Sequence, residues 1–280
     1  MKLVVFTDLD ATLLDSETYS WEPARESLAV LRAREAVVVL VSSKTFAEME
    51  PLHRELELQD PFIVENGGGI FIRRESPVLS HISKSRYPIW QHGDYACITL
   101  GTDYETLVQS LVEISQCLGI RLVGFSAMSD REVAALTGLD LKDAARARTR
   151  LFDEPFIIRG EKIDAEAAVQ RAAAAKGLTA VQGGRFGHLI GHPGKGSAAA
   201  MLIDAYRSMY GNVLTIGLGD SPNDFPFLEL VDRPVLVGAA GKPLDLPEAI
   251  RDARRTESPG PRGWNEAVLD ILNEITAEDR

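Results

Sequence analysis

Short apolar runs alternate with helical patterns at both ends of the chain. Residues 3–7 (Leu-Val-Val-Phe-Thr) form an unbroken β-branched and aromatic run, which is typical of a strand buried on both faces of a parallel sheet. Similar runs recur at 36–41, 61–64, 213–217 and 234–237. Helical patterns separate these runs, at 23–34, 45–58, 195–210, 222–231 and 264–275. The alternation predicts parallel strands joined by crossover helices, so we expect both ends of the chain to share one sheet.

The middle of the chain has a different pattern. Strand-like runs at 95–100, 121–125 and 156–159 lie among helical segments, and Ser129 with Glu132 has the spacing of a capping box. We therefore predict an α/β fold with a doubly wound, mostly parallel, Rossmann-like core and an inserted α+β unit. The predicted core comprises residues 1–80 and 188–280, and the predicted insertion comprises residues 81–187.

Composition and charge limit the possible partners. The 280 residues are 45% apolar and 25% charged, as expected for a globular protein with a substantial core. The net charge of -11 argues against nonspecific binding to nucleic acid or anionic membranes, which requires clustered Lys and Arg. Any phosphate site must therefore be local. The basic segment 144–150 has the spacing of a solvated helix and receives no function.

The cysteines and the N-terminus favour the cytoplasm. Cys97 and Cys117 are far apart and lack a second Cys or His at metal-ligand spacing, so neither a disulfide framework nor a zinc site is indicated. The apolar run before Asp8 has only five residues, which is too short for a secretory signal, and no stretch approaches a membrane span.

Two acidic residues follow the first predicted strand. Asp8 and Asp10 leave the carboxyl end of the run 3–7, which is the edge where ligands bind in open α/β sheets. Two crowded carboxylates repel each other unless a cation is near, and their oxygens suit Mg²⁺. The alternative is that both aspartates only form a turn.

Two further candidates lie at predicted helix starts. Ser42 and Ser43 follow the run 36–41 and, with the free amides of the next helix, are placed to hold a phosphate; Lys44 comes next. Their alternatives are an N-cap for the serines and a surface charge for Lys44. Lys195 begins a helix after a glycine-rich segment without P-loop spacing; it is placed either to neutralise a phosphoryl group or to face solvent.

The last cluster follows the run 213–217. Asp220, Asn223 and Asp224 lie at this strand end, and a helix cap is the alternative role for Asp220 because Pro222 suits a helix start. Together with Asp8 and Asp10, however, these carboxylates fall on one edge of the predicted sheet. We therefore predict a metal site there.

Ordered motifs give the chain a family resemblance. Asp8-Leu-Asp-Ala-Thr12, Ser42-Ser-Lys44, Gly194-Lys-Gly196 and Gly219-Asp-Ser-Pro-Asn-Asp224 resemble the haloacid dehalogenase-like superfamily. Finer matches are similar to the mannosyl-3-phosphoglycerate phosphatase family, at residues 42–45, 61–67, 184–186, 219–226 and 260–264. The likeness spans nearly the whole chain and is weaker in the inserted unit, the cap.

The resemblance implies a Mg²⁺-dependent phosphatase. It implies that Asp8 is the nucleophile that forms an aspartyl-phosphate and that Asp10 is the acid and base. Mg²⁺ would be held by the Asp8 carboxylate, the Asp10 main-chain carbonyl and Asp220, with Asn223 and Asp224 in support. Ser42 would bind the transferring phosphoryl group and Lys195 would offset its charge. The substrate would be a small phosphorylated sugar-glycerate, mannosyl-3-phosphoglycerate or a close glycosyl-phosphoglycerate.

Substrate contacts are less determined by the sequence. Asn66 either contacts substrate or belongs to a tight hairpin turn over 65–69, and Arg185 binds either a carboxylate such as glycerate or a surface partner. Ala11 stands where the superfamily usually has Gly, which would cost on the order of 1 kcal/mol if the backbone needs a positive φ.

Three other functions stay open at this point. The first two are another sugar phosphatase and a phosphomutase on the same scaffold. The third is a noncatalytic regulator that is phosphorylated on Asp8, although such a switch has little use for Asp10. The sequence does not indicate an oligomeric state.

Overall fold

A computed structural model describes residues 1–82, 87–160, 164–182, 185–191, 194–238, 241 and 244–278. Gly184 of the motif at 184–186 lies outside these residues, as do positions 192 and 193 before Lys195. The strands are β1 Lys2–Thr7, β2 Val37–Val41, β3 Phe62–Val64, β4 Gly69–Arg73, β5 Ile89–His92, β6 Tyr95–Thr99, β7 Arg121–Gly124, β8 Asp153–Arg159, β9 Thr179–Gln182, β10 Gly187–Ile190, β11 Val213–Gly219, β12 Arg233–Leu236 and β13 Arg254–Arg255. The α-helices are α1 Arg25–Ala33, α2 Phe46–Glu55, α3 Tyr104–Leu118, α4 Asp130–Thr137, α5 Leu141–Ala147, α6 Ala165–Ala174, α7 Lys195–Tyr210, α8 Phe225–Leu228 and α9 Gly260–Glu278.

The larger sheet has nine strands in the order β13-β12-β11-β1-β2-β3-β4-β6-β5. The first six of these strands are parallel, and the last three add to them in antiparallel fashion. Strands from both ends of the chain are therefore neighbours, which confirms the prediction of one shared, mostly parallel sheet. At the centre, Thr7 pairs with Leu218 on one side and with Leu40 on the other.

Helices cover both faces of this sheet. Successive residues of β1 point to opposite faces, so Val5 packs into the core beneath α1, α2 and α9, whereas Phe6 packs into the core beneath α7 and α8. The indole of Trp264 on α9 is fully buried, and its Nε1 donates to the Thr7 hydroxyl at 2.9 Å. Burial on both faces explains why these strands are apolar throughout.

The inserted unit has its own antiparallel sheet, in the order β7-β8-β10-β9. Helices α3 and α6 pack on one face of this sheet, and α4 and α5 pack in a second apolar cluster around Phe125. The predicted capping box of Ser129 and Glu132 is confirmed at the start of α4.

The boundaries of the insertion differ from the predicted ones. Strands β5 and β6 belong to the nine-stranded sheet, so the larger unit continues to Thr99 instead of ending at residue 80. At the other boundary, β10 belongs to the small sheet, so the insertion extends beyond residue 187 to Ile190. The reason is that β4 to β6 add as hairpins without the crossover helices on which the prediction relied. None of the helices in the described part of the chain is both long and apolar enough to span a bilayer.

Candidate active site

The ends of the central parallel strands bring the predicted residues together. Asp8 follows β1, Ser42 follows β2 and Asp220 follows β11, and these three strands are neighbours in register. The Asp8 amide donates to the Leu218 carbonyl at 2.9 Å, which fixes the backbone at the point where the chain leaves the sheet. The predicted site is therefore assembled at the carboxyl edge of the sheet.

Three carboxylates and one ammonium group form the centre of this site. Ligand oxygens of Asp8, Asp220 and Asp224 lie within 4.8 Å of one another. The Lys195 Nζ is 2.6 Å from Asp8 Oδ1 and 2.6 Å from Asp224 Oδ1. The Lys195 side chain is only 3% exposed, so the alternative of a solvent-facing lysine is wrong.

The charges of this cluster do not balance. Burial, and then repulsion from Asp224, raises the pKa of the Asp8 carboxyl well above its usual value, although Lys195 opposes the change. Burial and Asp224 also raise the pKa of Asp220 to about 6. Burial alone would lower the pKa of Lys195, but Asp224 and Asp8 together raise it. Three carboxylates against one ammonium leave negative charge that a divalent cation would neutralise, and carboxylate oxygens are the donors that Mg²⁺ prefers, so the residues present fit that ion.

Local hydrogen bonds separate the roles of the two acidic residues in the 220–224 loop. Asp224 Oδ2 accepts from the Asp220 amide at 3.0 Å and from the Ser221 amide and hydroxyl at 3.2 Å. Asp224 and Ser221 thus form the capping box of the short 3₁₀ helix Pro222–Asp224. Capping, the alternative role of Asp220, is performed by these neighbours, and the Asp220 carboxylate faces the Thr12 hydroxyl at 3.4 Å.

Asp10 is not one of the three clustered carboxylates. Its side chain is 45% exposed, and its Oδ1 is 2.9 Å from the Nζ of Lys44. Burial alone would lower the pKa of Lys44, but Asp10 and then Glu48 raise it. Lys44 is therefore not a free surface charge, and the Asp10 carboxyl faces a cation at the opening of the site. The predicted ligation of a metal by the Asp10 main-chain carbonyl stays a prediction.

The backbone next to Asp10 adopts the conformation that the superfamily's usual glycine suggests. Ala11 has φ +58°, in the left-handed region that L side chains rarely adopt. Because φ is positive here, alanine costs conformational energy relative to glycine at this position. The neighbouring residues Thr12 and Leu13 are buried and hold the loop in place.

The serines after β2 are not helix caps. Thr45 is the N-cap of α2, with Glu48 completing a capping box. Ser42 is buried, and its hydroxyl accepts from the Lys44 amide at 3.2 Å. The N-cap alternative for Ser42 and Ser43 is therefore wrong, and their roles with phosphate and substrate stay predictions.

A cavity of about 400 Å³ lies between the core and the inserted unit. It is bordered by Asp10, Ser16, Tyr19, Ser43, Lys44 and Glu48 from the core, and by Phe125, Thr137, Leu139, Ala147, Arg150, Pro155, Arg185, Phe186 and His188 from the insertion. Arg185 is exposed and donates to the Thr137 carbonyl at 2.9 Å. The contact of Arg185 with a substrate carboxylate stays a prediction. The position of Arg185 at the cavity is compatible with such a contact.

Arg150 is the residue that sequence reasoning missed. The basic pattern predicts a solvated helix over 144–150, but α5 ends at Ala147, and the Arg150 side chain is only 6% exposed. Its Nη1 donates to the Ser43 carbonyl at 3.0 Å and lies 3.6 Å from Asp153 Oδ2. Arg150 thus links the insertion to the loop that carries Ser42. The sequence offers no signal for this beyond its position after the helix.

Glu65 binds the same segment from the core side. Its carboxylate accepts from the Leu151 amide at 3.0 Å and from the Phe152 amide at 2.7 Å. Burial raises the pKa of Glu65 to about 7, against the opposing effect of Arg150. We call Glu65, Arg150 and Asp153 the hinge cluster, because Arg150 and Asp153 lie where the chain leaves α5 and enters β8, and Glu65 binds that segment from the core.

Asn66 connects the hinge cluster to the acidic loop. Its Oδ1 accepts from Asn223 Nδ2 at 2.8 Å, and its Nδ2 donates to Asp153 Oδ2 at 2.8 Å. Asn66 has φ +58° in the turn between β3 and β4, which confirms the predicted hairpin over 65–69. The predicted substrate contacts of Asn66 and Asn223 stay predictions.

Comparison with known proteins shows the family of the chain. The family model of the haloacid dehalogenase-like hydrolases matches residues 5–87. The chain is 38% identical over 272 residues to a glucosyl-3-phosphoglycerate/mannosyl-3-phosphoglycerate phosphatase of Methanococcoides burtonii, covering 97% of this chain and 98% of the relative. It is also 38% identical over 278 residues to a phosphatase of the same name from Persephonella marina, covering 98% of each.

A solved structure supports the fold independently. A haloacid dehalogenase-like hydrolase from Bacteroides thetaiotaomicron superposes with a TM-score of 0.60, at 16% identity, over 97% of this chain and 100% of that chain. At this identity, the likeness concerns the fold alone. Together with the family model and the two phosphatase relatives, it means that the chain belongs to the haloacid dehalogenase-like hydrolases and is a phosphoric monoester hydrolase of that family.

Proposed function

We propose that this phosphatase is Mg²⁺-dependent and hydrolyses mannosyl-3-phosphoglycerate, or a close glycosyl-phosphoglycerate, to the glycosylglycerate and phosphate. The observation that carries the chemistry is the Lys195 ammonium group, which contacts both Asp8 and Asp224 inside a cluster of three carboxylates. The substrate class is supported by the names of two relatives that match nearly the whole chain.

Asp8 is the proposed nucleophile. One of its carboxylate oxygens attacks phosphorus, so that a new P–O bond forms while the bond to the leaving oxygen breaks. Asp10 gives its proton to the leaving alkoxide and later takes a proton from the water that attacks the aspartyl-phosphate. Release of phosphate then regenerates the Asp8 carboxylate. The partly exposed position of Asp10 beside the cavity suits a group that exchanges protons with the leaving group and with water.

The remaining charges of the site serve the same displacement. Mg²⁺, held by Asp8 and Asp220 with Asp224, Asn223 and the Asp10 carbonyl in support, would offset charge on the phosphoryl oxygens. Lys195 favours the ionised form of Asp8, as the nucleophile requires.

The other proposed contacts hold the phosphoryl group and the leaving group. Ser42 would bind the phosphoryl group. Ser43 and Lys44 border the cavity that would receive the leaving group. Arg185, at the opposite wall, presents a planar fork suited to the glycerate carboxylate. The two free cysteines, Cys97 and Cys117, suit the reducing cytoplasm in which we expect the enzyme to act.

A phosphate-release assay tests the proposal. Purified protein is incubated with mannosyl- and glucosyl-3-phosphoglycerate and with a panel of sugar phosphates, with Mg²⁺ or with EDTA. We expect free phosphate from the glycosyl-phosphoglycerates, and loss of release in EDTA that added Mg²⁺ restores. Faster phosphate release from another sugar phosphate would mean that this compound is the substrate. Formation of an isomer in place of free phosphate would indicate a phosphomutase.

The nucleophile is tested by Asp8→Asn. This variant should lose turnover and the acid-stable phosphoenzyme, whereas Asp204→Asn, an exposed change on α7, should keep both. Full activity of Asp8→Asn would overturn the mechanism. In the wild-type protein, a long-lived phosphorylated Asp8 without turnover of any small molecule would favour the noncatalytic regulator instead.

A further inference from the structure

His188 is a polar side chain of the cavity that the proposed chemistry does not use. It lies on β10 of the insertion, its side chain is 12% exposed, and it borders the cavity beside Phe186. Across the cavity lie Asp10 and Lys44, where the leaving group would depart. His188 is therefore positioned to contact the part of the substrate beyond the reacting phosphate.

A buried carboxylate fixes the orientation of this imidazole. The His188 Nδ1 is 2.8 Å from Asp153 Oδ2 and 3.1 Å from Asp153 Oδ1. Asp153 is fully buried, and its other neighbours, the Asn66 amide at 2.8 Å and the Arg150 guanidinium at 3.6 Å, are both donors. The carboxylate thus acts as an acceptor throughout, so the hydrogen-bond network assigns the proton to Nδ1 of His188.

The second ring nitrogen, Nε2, is then the one left to bind a ligand. In a neutral imidazole that carries its proton on Nδ1, Nε2 presents a lone pair. Within the described residues the His188 ring makes no hydrogen bond other than those to Asp153. The cavity contains three side chains that can only donate, namely Lys44, Arg150 and Arg185. These donors suit a carboxylate, whereas a sugar hydroxyl also needs an acceptor for its proton.

We propose that His188 is a specificity-determining residue that accepts a hydrogen bond from a hydroxyl of the glycosyl group, and that Asp153 is the positioning residue that orients it. This inference rests on the proposed function. It names the residue that would recognise the glycosyl group, which 3-phosphoglycerate lacks. The two carboxylates at the core side of the cavity are already engaged, Asp10 by the Lys44 ammonium group and Glu48 by the Thr45 amide. On the cap side, the proposed acceptor is Nε2 of His188.

Two substrates and two histidine variants test the role of His188. The measured quantity is the ratio of kcat/KM for mannosyl-3-phosphoglycerate to kcat/KM for 3-phosphoglycerate, which lacks the sugar. His188→Asn can keep a donor toward Asp153 but has no atom at the position of Nε2, and we expect the ratio to fall about tenfold. His188→Gln places an amide oxygen near that position and should restore most of the ratio.

The matched control is another histidine with a similar bond. His81 is exposed, and its Nδ1 lies 3.0 Å from the Ser208 hydroxyl, at a cavity that contains no active-site residue. His81→Asn should leave the ratio within twofold. If His188→Asn does not fold, as judged by circular dichroism, His188→Phe keeps the ring volume and replaces it in the comparison.

The positioning role of Asp153 predicts non-additivity. Asp153→Asn should lower the ratio when His188 is present and change it less than twofold in the His188→Asn background, because Asp153 acts through His188. Equal effects in both backgrounds would mean that Asp153 only stabilises the fold, and would overturn its assigned role.

The outcomes separate this inference from the proposed function. If the wild type strongly prefers the glycosylated substrate and the kcat/KM ratio of His188→Asn is within twofold of the wild-type ratio, the role of His188 is overturned and the proposed function stands. A wild-type enzyme without that preference overturns both.

Discussion

Replacement of Glu65 by glutamine should make the stability of the protein less dependent on pH. Glu65 is fully buried and accepts two main-chain amides of the segment that enters the insertion. Burial raises its pKa from 4.5 to about 7, although Arg150 lies close by. Glutamine has nearly the same shape as the protonated carboxyl and keeps an oxygen for the two amides, but it cannot ionise.

The sign and size of the effect follow from linkage. Between pH 4.5 and 7 the folded wild type holds a proton on Glu65 that the unfolded chain has already lost. The wild type therefore loses stability as pH rises through this window, and the loss is complete above pH 7. A difference of about 2.5 pKa units at 1.36 kcal/mol per unit amounts to roughly 3 kcal/mol. Glu65→Gln lacks this dependence on pH. Its unfolding free energy should therefore be close to that of the wild type at pH 5 and about 2–3 kcal/mol higher than that of the wild type at pH 8.

Chemical unfolding provides the measurement. Urea titrations of both proteins, followed by circular dichroism at pH 5, 6, 7 and 8, give the difference in unfolding free energy at each pH. Other groups that titrate in this range, such as Asp60 with a pKa of about 6, are present in both proteins and cancel from the difference. A difference that stays constant across pH would refute the reasoning, because it would mean that Glu65 is ionised in the folded protein throughout.

Three further substitutions test other parts of the structure. Ala11→Gly should raise the unfolding free energy by about 0.5–1 kcal/mol, because φ +58° suits glycine, whereas Ala168→Gly within α6 should lower it by a similar amount; thermal denaturation of both variants measures this. Lys195→Met removes the cation between two buried carboxylates, so activity in the phosphate-release assay should fall by about 100-fold or more, and the loss of stability should be larger at pH 8 than at pH 5. Arg150→Met should lower the unfolding free energy at pH 8 by about 3 kcal/mol, as measured by urea unfolding. Arg146→Met loses only a partly exposed ion pair and should lower it by less than about 1 kcal/mol.

The sequence sufficed for the acidic cluster because strand ends are a local signal. Each buried strand could be recognised from its apolar run, and parallel strands bring their carboxyl ends to one edge of the sheet. Asp8, Ser42 and Asp220 follow three such strands directly, so their proximity needed no knowledge of the loops. The direction of the last three strands lacked such a signal, because hairpins need no crossover helix.

The hinge cluster could not be found in this way. Asp153 of this cluster lies in β8 of the small sheet, and its partner Asn66, 87 positions away, lies in the turn between β3 and β4 of the large sheet, so their contact depends on how the insertion packs against the core. Arg150 carries the same local signal as Arg146 and Arg148, whose side chains are 31% and 30% exposed, so only the tertiary structure reveals that Arg150 is buried. Groups at one sheet edge can therefore be recognised from the sequence pattern, whereas groups that join two units cannot.

The position of the hinge cluster connects substrate choice with the acidic site. Hydrogen bonds lead from His188 through Asp153 and Asn66 to Asn223, which directly precedes Asp224. A rearrangement of the insertion that moves Asp153 must break these bonds or carry Asn66 with it. Glu65 and Arg150 oppose such a movement, because each binds main-chain groups across the junction. The orientation of the acceptor proposed for the sugar is therefore set by the same buried contacts that hold the loop of the acidic cluster.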